Sequence, residues 1–144
     1  MLILFTAYFV LGVRGGTYLI AAAVAVGLST LPDVDVELML RHRGVTHSLL
    51  AAFMVGLVVG AALAPTPLGV QGGFAAGFTG VALHILGDAL TYTPLRPLWP
   101  LSKRGVALRL FRSDDRAVNH LFMALGVAAA ALYLISGYLK APWA

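Results

Sequence analysis

Long apolar runs alternate with short polar connections along this chain. Residues 2–31 are apolar except for Arg14-Gly15-Gly16. Further apolar runs cover 48–64, 74–90 and 118–139. A helix needs about 20 mostly apolar residues to cross a hydrocarbon core, so each run is a candidate span. The first run, drawn as one helix, would be about 45 Å long, too long for a simple crossing. A break at the glycines divides it into two shorter helices, 2–13 and 17–31. The expected fold is all-α: an integral membrane bundle of four to five transmembrane helices in a single domain, residues 1–144.

The connections differ in character. Residues 32–47 are polar and hold Asp33, Asp35, Glu37, Arg41, His42, Arg43 and His47. Residues 65–73 carry no charge and read as a tight turn. Residues 91–117 contain Pro94, Pro97 and Pro100, then Lys103, Arg104, Arg109, Arg112 and Arg116. Within them Val106, Leu108 and Leu110 alternate with Ala107 and Arg109. A period of two predicts a short extended or hairpin segment lying on the surface over another span.

Composition strengthens the membrane reading. Apolar residues make up 60% of the chain and charged residues 11%, against about a quarter charged in soluble domains. Mean hydropathy is +0.89. With no cysteine, disulfides and thiolate metal sites are excluded. The N-terminal run lacks the basic residues that precede the apolar core of a signal peptide, so it is read as part of the membrane domain.

The charge is placed unevenly. Connections 32–47 and 91–117 are separated by two crossings and therefore share a side. Together they hold eight of the ten Lys and Arg residues, and 65–73 holds none. Basic loops stay in the cytoplasm, so the expected location is the inner or plasma membrane, multi-pass, with these loops cytoplasmic. That rule alone accounts for most of the arginines, as does attraction to anionic headgroups.

Ionisable groups at membrane depth are costly and mark function. His84 and Asp88, four residues apart, share one helix face. Topology alone brings Asp33, Asp35, His47, Asn119 and His120 to the same membrane edge. Neutral imidazoles and carboxylates without thiolates suit Zn, Mn, Fe or Ni. Arg41, Arg43 and the loop arginines are placed to clamp an anionic group. Each element also has a structural reading. His84 and Asp88 could form only a hydrogen-bonded pair, Asp33 and Asp35 an Asx turn, and Thr46 or Ser48 a helix cap. Their convergence on one edge favours a metal site.

Four stretches carry a resemblance: Leu31-Pro32-Asp33-Val34-Asp35, His42-Arg43-Gly44-Val45-Thr46-His47-Ser48-Leu49-Leu50, His84-Ile85-Leu86-Gly87-Asp88-Ala89-Leu90-Thr91 and Pro97-Leu98-Trp99-Pro100. In this order they resemble the membrane-bound metal-dependent hydrolase family of the YdjM type. That family is similar in turn to zinc-dependent phospholipases C and nucleases. There an Asp precedes a His by fourteen residues, the spacing of Asp33 and His47 here, and a later His-x-x-x-Asp follows. The resemblance implies metal ligands at Asp33, His47, His84 and Asp88. Asp35 and His42 complete the shell or act as general base, and Arg43 neutralises charge. Family members often carry a His in the first helix and an acidic residue near the start of the last one. This chain has no His before His42, and for the acidic residue at the last helix Asp114, Asp115 or His120 would have to substitute.

The expected function is a metal-dependent hydrolase at the cytoplasmic face, using a divalent ion, Zn first and Mn second. Its substrate would be a phosphoester such as a lipid phosphate. The expected partners are the bilayer and that substrate; no nucleic acid is predicted directly. The small pair Gly56 and Gly60 permits close helix packing within or between chains, which leaves an oligomer open. The alternative is a membrane scaffold or subunit pinned by a structural metal or ion-pair cluster. A transporter ranks last, because the polar groups gather at one edge and do not line a path.

Overall fold

The computed structural model describes residues 16–33 and 45–139. Among these residues the fold is all-helical, with four α-helices and no strands. They are α1 (Gly16–Leu28), α2 (Leu49–Ala62), α3 (Gly69–Ala89) and α4 (Arg116–Leu139), with single 3-10 turns at Leu31–Asp33 and Val45–His47. Residues 2–13, the first half of the first apolar run, lie outside the described residues.

Local chemistry sets the helix ends. After α1 the Ser29 and Thr30 hydroxyls donate back to the carbonyls of Val26 and Gly27, at 2.7 and 2.9 Å. Pro32 follows and cannot continue a helix. Ser48 caps α2 from extended backbone (φ −119°, ψ 153°). Its Oγ accepts from the Ala51 amide at 3.2 Å and donates to the Val45 carbonyl at 2.7 Å. The turn between α2 and α3 is tied by Thr66, whose hydroxyl donates to the Leu63 carbonyl at 2.7 Å.

The helices pack through small residues. α3 lies between α2 and α1 and contacts both. Gly56 and Gly60 of α2 face Gly73 and Gly77 of α3 so closely that a Cβ at Gly73 would lie 2.8 Å from the Val59 carbonyl oxygen. On the other side Gly80 meets the backbone of Ala25 in α1. The buried apolar residues are mainly alanines, with Leu68, Val81, Ile85 and Leu95. Large side chains such as Phe53, Met54, Leu57, Val58, Val70 and Leu86 are exposed. Small residues inside and large apolar residues outside is the arrangement of helices packed in lipid.

Three sequence expectations are refined. The third helix begins at Gly69, not at Phe74, because Gly72 and Gly73 continue the close packing under Leu63 and Leu68. The expected turn over 65–73 shrinks accordingly. Gly56 and Gly60 are used within the chain. By length and composition, one helix among the described residues, α3, can cross a membrane; α2, with 14 residues, is apolar but short.

Residues 91–111 are irregular, with a turn over 97–101 and two isolated bridges, Leu95 to Val106 and Thr91 to Phe111; the alternation over 106–110 does not build a hairpin of strands. The last carbonyls of a helix lack internal partners. Here Ala89, Leu90 and Thr91 accept from the amides of Leu108, Leu110 and Arg109, at 2.7, 2.9 and 3.2 Å. The Leu49 amide, at the start of α2, donates to the Pro97 carbonyl at 2.8 Å. One segment thus fastens the start of α2 to the end of α3, with Leu95 fully buried beneath it.

Candidate metal centre

Three helix termini meet at one end of the bundle. Asp33 ends the 3-10 turn after α1, and His47 ends the turn before α2. Asp88 sits in the last turn of α3, and His84 lies one turn deeper on the same face. α2 and α3 are antiparallel, so the 63–68 turn lies at the far end.

The side chains converge. Nε2 of His47 lies 3.7 Å from Oδ1 of Asp33 and 3.3 Å from Oδ2 of Asp88. Nε2 of His84 lies 3.4 Å from Oδ1 of Asp33 and 3.8 Å from Oδ2 of Asp88. Each imidazole therefore bridges the two carboxylates. The ligand atoms of Asp33, His47 and His84 all lie within 4.8 Å of one another, and Asp88 joins through both histidines. The imidazole planes meet at 60°, with centroids 5.3 Å apart.

This geometry fits a bound cation. Zn–N and Zn–O bonds of about 2.0–2.2 Å in a tetrahedral site put ligand atoms about 3.3–3.6 Å apart. The four His–Asp edges run from 3.3 to 3.8 Å, and the set that closes fully within 4.8 Å is Asp33, His47 and His84. A purely structural ion pair would aim its N–H at a carboxylate. Nε2 of His84 is buried with no hydrogen-bond partner, although two carboxylates stand beside it. Buried polar atoms are rarely left so. The donor set, two imidazole nitrogens and two carboxylate oxygens, suits a borderline divalent ion.

Surrounding contacts orient the site. The Thr46 hydroxyl lies 3.1 Å from Nδ1 of His47. With the proton on Nδ1, it accepts a hydrogen bond and leaves the Nε2 lone pair facing the centre. Thr91 donates from Oγ1 to the Asp88 carbonyl at 2.8 Å, holding the end of α3. His47 is fully buried, whereas the Asp33 side chain is 53% exposed. The centre therefore opens on the Asp33 side.

Asp33, His47, His84 and Asp88 are brought together as expected. His120 is not among them: it lies exposed on α4. Asp114 and Asp115 do other work. Asp114 forms a bidentate pair with Arg112, at 3.0 and 3.2 Å. Asp115 caps α4 by accepting from the Ala117 and Val118 amides, at 2.9 and 3.2 Å. Asp35, His42 and Arg43 lie outside the described residues. The contribution of Thr46 was not foreseen beyond a capping role; its one signal in the sequence is a hydroxyl directly before His47.

Over residues 1–144 the chain matches the profile of the YdjM inner membrane proteins. It belongs to that family. No curated protein and no solved structure matches it.

Proposed function

We propose that this YdjM-family chain is a multi-pass, metal-dependent hydrolase of the inner membrane, acting on a phosphoester at the cytoplasmic face. Asp33, His47, His84 and Asp88 would hold a divalent ion, Zn first and Mn second. The observation that carries the reading is the four-edged contact of two imidazoles with two carboxylates, with Nε2 of His84 buried and lacking a hydrogen bond.

A bound divalent ion supplies Lewis acidity toward a phosphoryl oxygen and acidifies a coordinated water. The chain's own residues do the rest. Thr46 holds the His47 tautomer, and the capped end of α3 holds Asp88. The half-exposed Asp33 leaves an approach for a substrate at the membrane surface. A lipid phosphate suits a centre placed where helices end, because its phosphoester lies at that depth. The spans implied by the apolar runs, and the basic connections 32–47 and 91–117, support the multi-pass topology and its orientation.

Purified protein is expected to bind about one Zn per chain by elemental analysis and to cleave an aromatic phosphodiester or a phospholipid. His84→Ala and Asp88→Ala are expected to lose both properties. Zn binding without turnover on either substrate would leave the centre as a structural pin among three helices and reject the hydrolase. Neither metal nor turnover would reject the whole reading.

A further inference from the structure

The 91–111 segment does more than join α3 to α4. Its backbone is tied to the end of α3 and, through Pro97, to the start of α2, so it sits level with His47 and Asp88. Leu95 is buried against the bundle, but other apolar side chains of the segment turn outward. Leu101 is 93% exposed, and Leu98, Leu108 and Leu110 are each more than half exposed. A clustered apolar surface of this kind is rare on a soluble protein and marks a contact with something else.

The charges interleaved with those leucines say what that is. Arg96, Lys103, Arg104 and Arg109 are all exposed, and no carboxylate among the described residues pairs with them. The two acids nearby are committed, Asp114 to Arg112 and Asp115 to the α4 cap. Exposed leucines beside cations that no described carboxylate pairs match the acyl–headgroup boundary of an acidic bilayer.

We propose that residues 96–110 form a headgroup-binding strap that recruits acidic phospholipid at the level of His47 and Asp88. This rests on the membrane-embedded reading above, but neither on a bound metal nor on turnover.

The chain holds two tryptophans, and Trp99 lies in the strap. In a Trp143→Phe background Trp99 becomes the sole tryptophan, excited selectively at the red edge of its absorption. The full chain is reconstituted in phosphatidylcholine bilayers containing phosphatidylglycerol. A doxyl quencher near the headgroup is carried by one lipid or by the other. Labelled phosphatidylglycerol is expected to quench Trp99 more strongly than labelled phosphatidylcholine at equal mole fraction. Each basic residue near an acidic surface strengthens association about five-fold. The variant Arg96→Gln/Lys103→Gln/Arg104→Gln/Arg109→Gln is therefore expected to bring the two quenchers to parity while Trp99 stays quenched. Should that variant fail to fold, the four single substitutions are expected each to reduce the preference by part of the total. Parity in the unaltered strap, a preference that survives the substitutions, or no quenching by either lipid would overturn the proposal. Chain that binds no zinc and cleaves nothing gives the same readout, so failure of the hydrolase reading is seen separately.

Discussion

His47 is enclosed by Thr46 at Nδ1, at 3.1 Å, and by Asp88 at Nε2, at 3.3 Å, and has no exposed side-chain surface. Contacts that set the tautomer of a ligating histidine are worth about 10–100-fold in metal affinity. Thr46→Val is therefore expected to weaken Zn binding by about that factor, while Thr46→Ser retains it; isothermal titration in detergent reads both. At the Arg112–Asp114 pair, the Arg112 hydrogen bonds and then its charge hold the Asp114 carboxyl below the usual carboxylate range. Asp114 correspondingly holds Arg112 above its ordinary value, through the hydrogen bond first and charge second. A depressed carboxylate pKa means that the pair is present above the unfolded value and lost as pH falls through the folded one. Carbon-13 NMR is expected to show Asp114 titrating at lower pH in the native chain than in Arg112→Ala; coincident curves would remove the pairing in solution. Both residues are fully exposed, so little stability is at stake.

Between helices the interface is made by missing side chains. A Cβ at Gly73 would meet the Val59 carbonyl and the Gly60 backbone, whereas one at Gly126 on α4 meets nothing within 4 Å. Gly73→Ala is expected to destabilise the helix pair by about 1–3 kcal/mol through overpacking. Gly126→Ala is expected to be neutral or stabilising by up to about 1 kcal/mol, since it gains helix propensity without a clash. Thermal unfolding in detergent compares them; equal melting temperatures would refute the close α2–α3 contact. The pair Gly56 and Gly60 was visible as a small-residue pattern. Its partner Gly73 was not, because a turn prediction placed 65–73 outside the helix. What decides the boundary is that Gly72 and Gly73 have a surface to pack on.

At the scale of the molecule, the turn at 63–68 and the strap at 91–111 lie at opposite ends of α3, a helix of 21 residues and about 31 Å. That length matches a hydrocarbon core of about 30 Å. The chain has no cysteine, so single probes are unambiguous. Ala64→Cys is expected to react with an impermeant maleimide added to intact spheroplasts, and Lys103→Cys only after permeabilisation. The reverse pattern would invert the proposed orientation and place the metal centre on the outer face.

Some of this was present in the linear order of residues. Apolar run length against bilayer thickness, the absence of cysteine and the crowding of Lys and Arg into two connections are one-dimensional quantities, and they sufficed for an all-helical membrane chain. The i, i+4 spacing of His84 and Asp88 and the position of Asp33 and His47 at helix ends were also legible, because helix periodicity and topology are local; the family resemblance then singled out these four as candidate ligands. Distance in space is not local. That Asp88 bridges both histidines depends on which helices pack, and glycine contacts between α2, α3 and α1 decide that. A segment lying over the spans was legible in the 106–110 alternation, but its capping of α3 was not, since free helix carbonyls accept from whichever amides the folded chain brings near.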